Sequence, residues 1–199
     1  MAFEHLKTNH RVDAVFSLET AQEFACRVTI DSAWWKWLLI SIHSAVQGFM
    51  VLALETGNAL DAMKPKAKKA WLKAYKLNEQ HPQGEMDNFM QLYDKVKSQA
   101  VCGYYESKPF TAGPTHDSSM KKLNELRNDF IHFMPAYRPV EREELASWCA
   151  IALDCLDVAN FLGWESGCIL WHDELSDRGK RAINVLQATL GAVKRELES

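Results

Sequence analysis

Hydrophobic residues recur along most of this 199-residue chain at the spacing of an α-helix. Between residues 12 and 28 they lie three or four positions apart, which places them on one face of a helix. Asp31 and Ser32 are helix-capping residue types, and we expect them to open a long helix from Ala33 to about Met63. Because that helix is apolar on most of its circumference, it needs neighbours on nearly every side, and the pattern predicts the central helix of a bundle.

The rest of the chain repeats the helical pattern between short irregular stretches. Pro65 begins a lysine-rich segment, and further helices are predicted over residues 87–101, 120–133, 139–162 and 173–197. Asp87 is the expected cap of the first of these, and Pro135 the expected end of the second, because the residue before a proline avoids the helical conformation. With no internal repeat and no convincing strand, the sequence predicts an all-α fold. We expect one domain over residues 1–199, with a C-terminal helical extension from about residue 171.

The composition indicates a folded protein without a general affinity for nucleic acid. Hydrophobic residues make up 47% of the chain, enough to bury a core, and only nine glycines and six prolines interrupt the helices. The formal net charge of −3 argues against a generally basic nucleic-acid binder. Any contact with RNA therefore has to come from a local patch.

The cysteines and the most apolar stretch predict a cytoplasmic protein that does not enter a membrane. Five cysteines occur with no C-x-x-C pair, which excludes the common zinc and redox spacings and predicts reduced thiols. Residues 1–11 are polar and lack the apolar centre of a secretion signal. The apolar stretch from Leu38 to Leu54 is near the short limit for a membrane span, and it contains His43 and Gln47, so we expect a buried helix.

The main candidate site lies near the end of the helix predicted over residues 120–133. A guanidinium, an amide and an imidazole occur there within six residues, on Arg127, Asn128 and His132. Asn128 and His132 share a helix face, whereas Arg127 and His132 are about 140° apart around the axis and about 7.5 Å apart along it. Either the long arginine side chain wraps toward the imidazole, or a dimer brings two such helices face to face and pools both pairs of groups.

These three residue types suit the cleavage of RNA without a metal. An arginine binds the phosphate and stabilises its developing charge, and a histidine takes the proton of the 2′-hydroxyl or protonates the leaving oxygen. Asn128 would orient either group, and DNA lacks the hydroxyl that attacks. In the alternative interpretation, the same residues cap carbonyl groups freed at the helix end and pair with Asp129 or Glu125.

The string Leu-Arg-Asn-Asp-Phe-Ile-His, over residues 126–132, resembles the motif of the HEPN superfamily (higher eukaryotes and prokaryotes nucleotide-binding domain). That motif is an arginine, then usually a polar residue, then a histidine four to six positions after the arginine. Arg127, Asn128 and His132 match it position by position, and the longer string over residues 124–135 looks like that of a bacterial subgroup. The resemblance covers the bundle from about residue 12 to 170, although its specific part is only some fifteen residues.

The resemblance implies an antiparallel helical bundle of HEPN type with extra helices, and a homodimer formed through the motif helices. It also implies metal-independent endoribonuclease activity of the kind found in toxins and phage defence, with an antitoxin or other protein as a partner. HEPN proteins also include non-catalytic modules that bind a nucleotide or a protein, and this is the alternative function. A third alternative is a purely structural dimer. No cofactor is expected.

His43 and Gln47 are four residues apart within the most apolar helix. In one interpretation they face the motif helix and orient His132. In the other, His43 is a core histidine that is hydrogen-bonded locally, as a buried polar group has to be.

The segment from Lys64 to Lys76 contains six lysines and no acidic residue, which leaves a net charge of −9 on the rest of the chain. Lys66, Lys69 and Lys73 are candidate RNA-binding residues, with Trp71 or Tyr75 as a stacking platform. The alternative is a solvated helix face whose aromatic residues pack inward. The remaining histidines, His81, His116 and His172, show no metal-ligand spacing, so no metal site is expected.

Overall fold

The computed structural model describes residues 9–55, 60–98, 107–132, 140–171 and 174–199. Every regular element in these ranges is helical, apart from a single antiparallel β-bridge between Met63 and Met86. The predicted all-α fold is therefore confirmed. Pro135 and Cys102 lie outside the described residues, and so does the polar N-terminal stretch before Asn9.

The described helices are α1 (His10–Ala25), α2 (Trp34–Ala53), α3 (Pro65–Lys76), α4 (Phe89–Val96), α5 (His116–His132), α6 (Arg142–Asn160) and α7 (Leu175–Glu198). A turn of 3-10 helix, Leu60–Ala62, precedes α3, and a π-helical turn, Phe161–Glu165, extends α6.

Several helix boundaries differ from the prediction, including the start of α5, the end of the central helix and the cap of α4. The long helix expected to reach Met63 ends at Ala53, ahead of the weak helix formers Gly57 and Asn58. The cap of α4 is Asn88, whose side chain accepts a hydrogen bond from the backbone of Gln91. Asp87, the predicted cap, is instead buried in an ion pair because its carboxylate lies 2.5 Å from the ammonium group of Lys95.

Helix α2 lies at the centre of the bundle, in contact with α1, α4, α5 and α6. Twelve of its twenty residues are buried, which is the burial that its pattern predicts for a central helix. Helix α1 runs antiparallel to it, since Phe24 stacks on Trp34 at one end while Ala14 lies against Gly48 at the other.

Helices α5 and α6 form a second antiparallel pair beside α2. The hydroxyl of Ser119 donates a hydrogen bond to Asp154, and Phe130 packs edge-on against Trp148, one contact near each end of the pair. Trp148 also packs against Trp35 of α2, so the end of α5 lies at the same end of the bundle as the start of α2. Helix α7 covers α1 and α6 through buried residues that include Ile183, Leu186 and Leu190.

Two helical segments, Trp34–Ala53 and Arg142–Glu165, are long and apolar enough to span a membrane. Core helices have the same composition, and 61% and 56% of the most apolar windows of these two segments are buried inside the bundle.

The close contact between α1 and α2 gives the first prediction. A Cβ atom at Gly48 would lie 2.8 Å from the Cβ and 3.1 Å from the Cα of Ala14. We expect Gly48→Ala to lower the free energy of unfolding by about 2 kcal/mol, because the two helices have to move apart. Urea denaturation measures the change.

The matched control is Gly191→Ala on α7, where an added Cβ would meet only the guanidinium of Arg195, at 3.6 Å. That change should be neutral or stabilise the protein by up to about 1 kcal/mol, since alanine is the better helix former. Equal effects of the two substitutions would contradict the close approach of α1 and α2.

Candidate functional site

The motif residues lie in the last two turns of α5 and point in different directions. Four residues of α5 are buried, Ser119, Met120, Leu123 and Leu126, and they define its core face. Arg127 follows the core face directly and is half-buried, whereas His132 is exposed. Nine residues separate His132 from Leu123, which corresponds to about 180° around a helix, so His132 lies opposite the core face.

Arg127 is held beside Asn128 and makes no ion pair with any described residue. Its Nη1 donates a hydrogen bond of 3.0 Å to the Oδ1 atom of Asn128. Glu125, a candidate carboxylate partner in the capping interpretation, lies 3.5 Å from the ammonium group of Lys122 instead. A guanidinium has five N–H donors, and the hydrogen bond to Asn128 uses one of them. The arrangement therefore suits the binding of an external anion.

His43 connects the central helix to the motif helix. Its imidazole is buried, its Nε2 donates a hydrogen bond of 3.2 Å to the Oδ1 atom of Asn124, and its ring stacks on Phe89 at 4.1 Å between centroids. Asn124 precedes Asn128 by one turn on α5, and the sequence interpretation missed it. The available signal was its four-residue spacing from Asn128, which places both amides on one side of the helix.

The pKa of His43 falls from 6.5 to about 4, mainly because the ring is buried; the hydrogen bond to Asn124 opposes this fall, and the positive charge of Arg127 contributes to it to a smaller extent. The imidazole is therefore uncharged near neutral pH. This state is compatible with the nearby guanidinium, since two cations close together in a poorly solvated site would repel each other. His43 and Arg127 together carry one positive charge.

The structure brings together only some of the predicted site residues. Arg127 and Asn128 lie near His43, and Asn124 joins them. Among the described residues, no contact connects His132 with Arg127 or with His43. Gln47 is half-buried one turn further along α2. The lysines Lys66, Lys69 and Lys73 lie on α3, which contributes nothing to this group.

A second polar cluster lies where α5 and α6 face each other. One ring nitrogen of His116 and one carboxylate oxygen each of Asp154 and Asp157 lie within 4.8 Å of one another. The sequence did not indicate this cluster, because His116 is far from the two aspartates along the chain. The backbone N–H of Gly113 donates to Nδ1 of His116 at 2.8 Å, so the hydrogen of the neutral ring is on Nε2. Nε2 is buried and finds no acceptor among the described residues. Because this nitrogen carries a hydrogen, its lone pair is not available to a metal ion.

Two of the described cysteines behave as packing residues. Cys149 and Cys155 are buried, Cys26 is exposed, and all are free thiols. Burial raises the pKa of Cys149 to about 12 and that of Cys155 well above its usual value. Neither buried thiol is poised to act as a nucleophile.

The lowered pKa of His43 gives the second prediction. Between about pH 6.5 and 4 the unfolded chain binds a proton at His43 that the folded protein does not. The free energy of unfolding should therefore fall as the pH falls through this window, by on the order of 3 kcal/mol from this residue. Urea denaturation across the window should show a shallower pH dependence for His43→Gln than for the wild type. His10→Gln, at an exposed position on α1, is the control and should follow the wild-type curve. If His43→Gln also followed the wild-type curve, the lowered pKa of His43 would be refuted.

Comparison with protein-family models, with curated proteins and with solved structures finds no match to this chain. The functional proposal therefore rests on the motif over residues 126–132 and on the geometry and chemistry of the described side chains.

Proposed function

We propose that this protein is a metal-independent endoribonuclease of HEPN type that works as a homodimer. The observation that carries the proposal is the state of Arg127: a half-buried guanidinium, bonded to Asn128, without an ion pair to any described residue. An arginine held in this way is a ready ligand for a phosphate group, because its fork of N–H donors matches phosphate oxygens.

The proposed reaction needs no group from outside the chain and the RNA. The 2′-hydroxyl attacks the adjacent phosphorus and the 5′-oxygen leaves, which produces a 2′,3′-cyclic phosphate. Arg127 binds the phosphate and stabilises the charge that develops on its oxygens. His132 takes the proton of the attacking 2′-hydroxyl and then donates it to the leaving 5′-oxygen, so that one imidazole accounts for both proton transfers. Asn128 orients Arg127 through their hydrogen bond.

The divergence of Arg127 and His132 favours a site shared between two copies. Within one chain the two side chains leave α5 about 140° apart. Next to His132 the side chain of Ile131 is 39% exposed, and at the same end of the bundle Trp37 is 49% exposed. Contiguous apolar surface commonly belongs to interfaces, and we propose that these two side chains contribute to one. A two-fold axis at this end of the bundle would bring Arg127 of one copy toward His132 of the other.

His43 and Asn124 act as positioning residues in this proposal. Their hydrogen bond joins α2 to α5 one turn before Arg127, and the neutral imidazole adds no second charge beside the guanidinium. Because His43 has no described contact with His132, its effect on the reaction would pass through α5 and Arg127.

The alternative is a non-catalytic module that binds a nucleotide or a protein with the same arginine. One observation favours it: no described contact connects His132 with Arg127, so a single copy offers an anion site without a proton donor.

We propose the cytoplasm as the location and a toxin or phage-defence system, with an antitoxin or other protein partner, as the setting.

The third prediction concerns cleavage. Purified protein should cleave single-stranded RNA in the presence of EDTA and leave a 2′,3′-cyclic phosphate or its hydrolysis product, detected by mass spectrometry. His132→Ala should lower the rate on the order of 100-fold or more. Arg127→Ala should lower both the rate and the affinity, because the guanidinium contacts the phosphate before and during the reaction.

The controls are His10→Ala and Arg195→Ala, which remove an exposed histidine and an exposed arginine outside α5. Both should cleave at the wild-type rate. A dependence on a divalent metal, or full activity of His132→Ala, would refute the mechanism. Anion binding that is lost in Arg127→Ala, without cleavage by the wild type, would establish the binding module instead.

The fourth prediction tests the shared site by mixing two inactive variants. If Arg127 and His132 act across the interface, dimers of one Arg127→Ala copy and one His132→Ala copy contain one complete site. A re-equilibrated equimolar mixture should then recover about a quarter of the wild-type activity, since half of the dimers are mixed and each has one intact site of two. If both residues act within one copy, the mixture should stay inactive. A monomer in sedimentation at micromolar concentration would also contradict the shared site.

A further inference from the structure

Residues 63–87 form a protruding arm with a closed base, which we call the basic arm. The β-bridge between Met63 and Met86 joins its two ends, and the backbone N–H of Lys64 donates to the carbonyl of Glu85 at 2.8 Å. Lys95 of α4 secures the base: its ammonium group donates to the carbonyls of Asp61 and Met63, at 2.6 and 2.8 Å. Together with the ion pair to Asp87, these bonds fix where the arm leaves the bundle.

The helix of this arm, α3, is exposed along its whole length. Ala74 is its only buried residue. Trp71 and Tyr75 do not join the hydrophobic core; Trp71 stacks on His81 at 4.2 Å, and the three rings lie within about 20° of parallel. Tyr75 is 63% exposed, so the arm presents a flat aromatic ring to the solvent. The alternative interpretation of this segment requires the aromatic residues to pack inward. The exposed ring of Tyr75 and the stacking of Trp71 on His81 do not fit that requirement.

Four lysines form a stripe along one side of α3. Lys66, Lys69, Lys73 and Lys76 follow one another at intervals of three, four and three residues, which places them within about 80° of arc and over about 15 Å of helix. None of the four forms an ion pair with a described residue, whereas Lys64 and Lys68 pair with Glu85 and Asp61 near the base of the arm. The stripe therefore carries four positive charges that no described carboxylate balances.

Apolar residues flank the lysines. Leu72 and Leu77 are 36% and 54% exposed, and they line an open groove along α3 together with Pro65, Lys68, Lys69, Lys73 and Lys76. Tyr75 lies at the edge of the same surface, next to Leu72 on the helical wheel. A continuous face thus combines unpaired cations with apolar and aromatic area.

We propose that the basic arm binds single-stranded RNA, with phosphates along the lysine stripe and a base on Tyr75. The choice of RNA over DNA rests on the proposed function, since the arm itself recognises only phosphates and bases. Charge complementarity supports a polyanion, because the lysine segment carries +6 while the rest of the chain carries −9. Single strands fit better than duplexes, because only unstacked bases present a face for an exposed aromatic ring.

An anionic membrane is the competing partner, and the structure favours it less. Insertion into a lipid interface needs a broad apolar helix face with large side chains free to enter. On α3 the largest such side chain, Trp71, is stacked on His81, and the exposed apolar residues lie among lysines.

The test measures binding of a fluorescent single-stranded RNA by anisotropy, with the His132→Ala protein as the parent so that cleavage cannot interfere. Replacement of Lys66, Lys69, Lys73 and Lys76 by Gln should weaken binding at least tenfold. It should also reduce the slope of log affinity against log salt by about 3, since each phosphate contact of a single strand contributes about 0.7. Tyr75→Ala should weaken binding about five- to a hundredfold. Glutamine is nearly as good a helix former as lysine, and circular dichroism would verify that α3 persists.

The matched control replaces Lys180, Arg181, Lys194 and Arg195 of α7 by Gln, the same change in net charge at another surface. It should leave the affinity within about twofold, because the phosphate contacts are local. An equal loss in the control and the arm variant, or wild-type binding by both arm variants, would overturn the proposal. Binding of phosphatidylserine vesicles by the wild type, without binding of RNA, would also overturn it.

The proposed binding by the arm and the proposed cleavage can be refuted separately. If the wild-type protein cleaves RNA and its binding does not depend on the arm, only the proposed role of the arm is refuted. Arm-dependent RNA binding by a wild-type protein that never cleaves would refute the ribonuclease and leave the arm in place.

Discussion

The rest of the structure depends on the enclosure of α2, a helix with apolar side chains on most of its circumference. No single neighbour can cover such a helix, so α1, α4, α5 and α6 surround it. Where one neighbour must come closest, α2 has Gly48 opposite Ala14, and the two backbones nearly touch. The positions of the other helices follow from this requirement, and so does the orientation of the motif helix α5 toward the centre of the bundle.

The same enclosure determines the chemistry of the one histidine that α2 buries. An imidazole away from water needs a hydrogen-bond partner and disfavours a charge. His43 finds its partner in Asn124, and its pKa falls to about 4. The neutral ring then allows Arg127 to remain charged nearby, so the packing of the core and the charge state of the candidate site are coupled. A protein that protonated His43 would place two cations at the junction of α2 and α5.

Charge is distributed unevenly between the bundle and the basic arm. The bundle carries a net negative charge and would repel a polyanion at long range, whereas the arm carries an unpaired lysine stripe. A polyanionic substrate would therefore bind the arm first and contact the half-buried Arg127 afterwards. This division of tasks reconciles an acidic protein with a proposed RNA substrate.

The sequence by itself determined the helical class, because helical spacing of apolar residues is a local property that the chain displays directly. It also predicted a central helix that begins near Ala33, although it extended that helix to Met63, beyond its end at Ala53. It identified Arg127, Asn128 and His132 as residue types that suit phosphate binding and proton transfer. Local signals failed at helix boundaries: Asp87 and Asn88 are both capping residue types, and only the position of Lys95 on α4 decides which of them caps and which is buried. Only the tertiary structure brought Asn124 to His43 across 81 positions and His116 to Asp154 and Asp157. It also showed that His132 lies opposite the core face of α5. Such contacts depend on how helices pack and on which carboxylates and amides are near, and no spacing within a single helix contains that information.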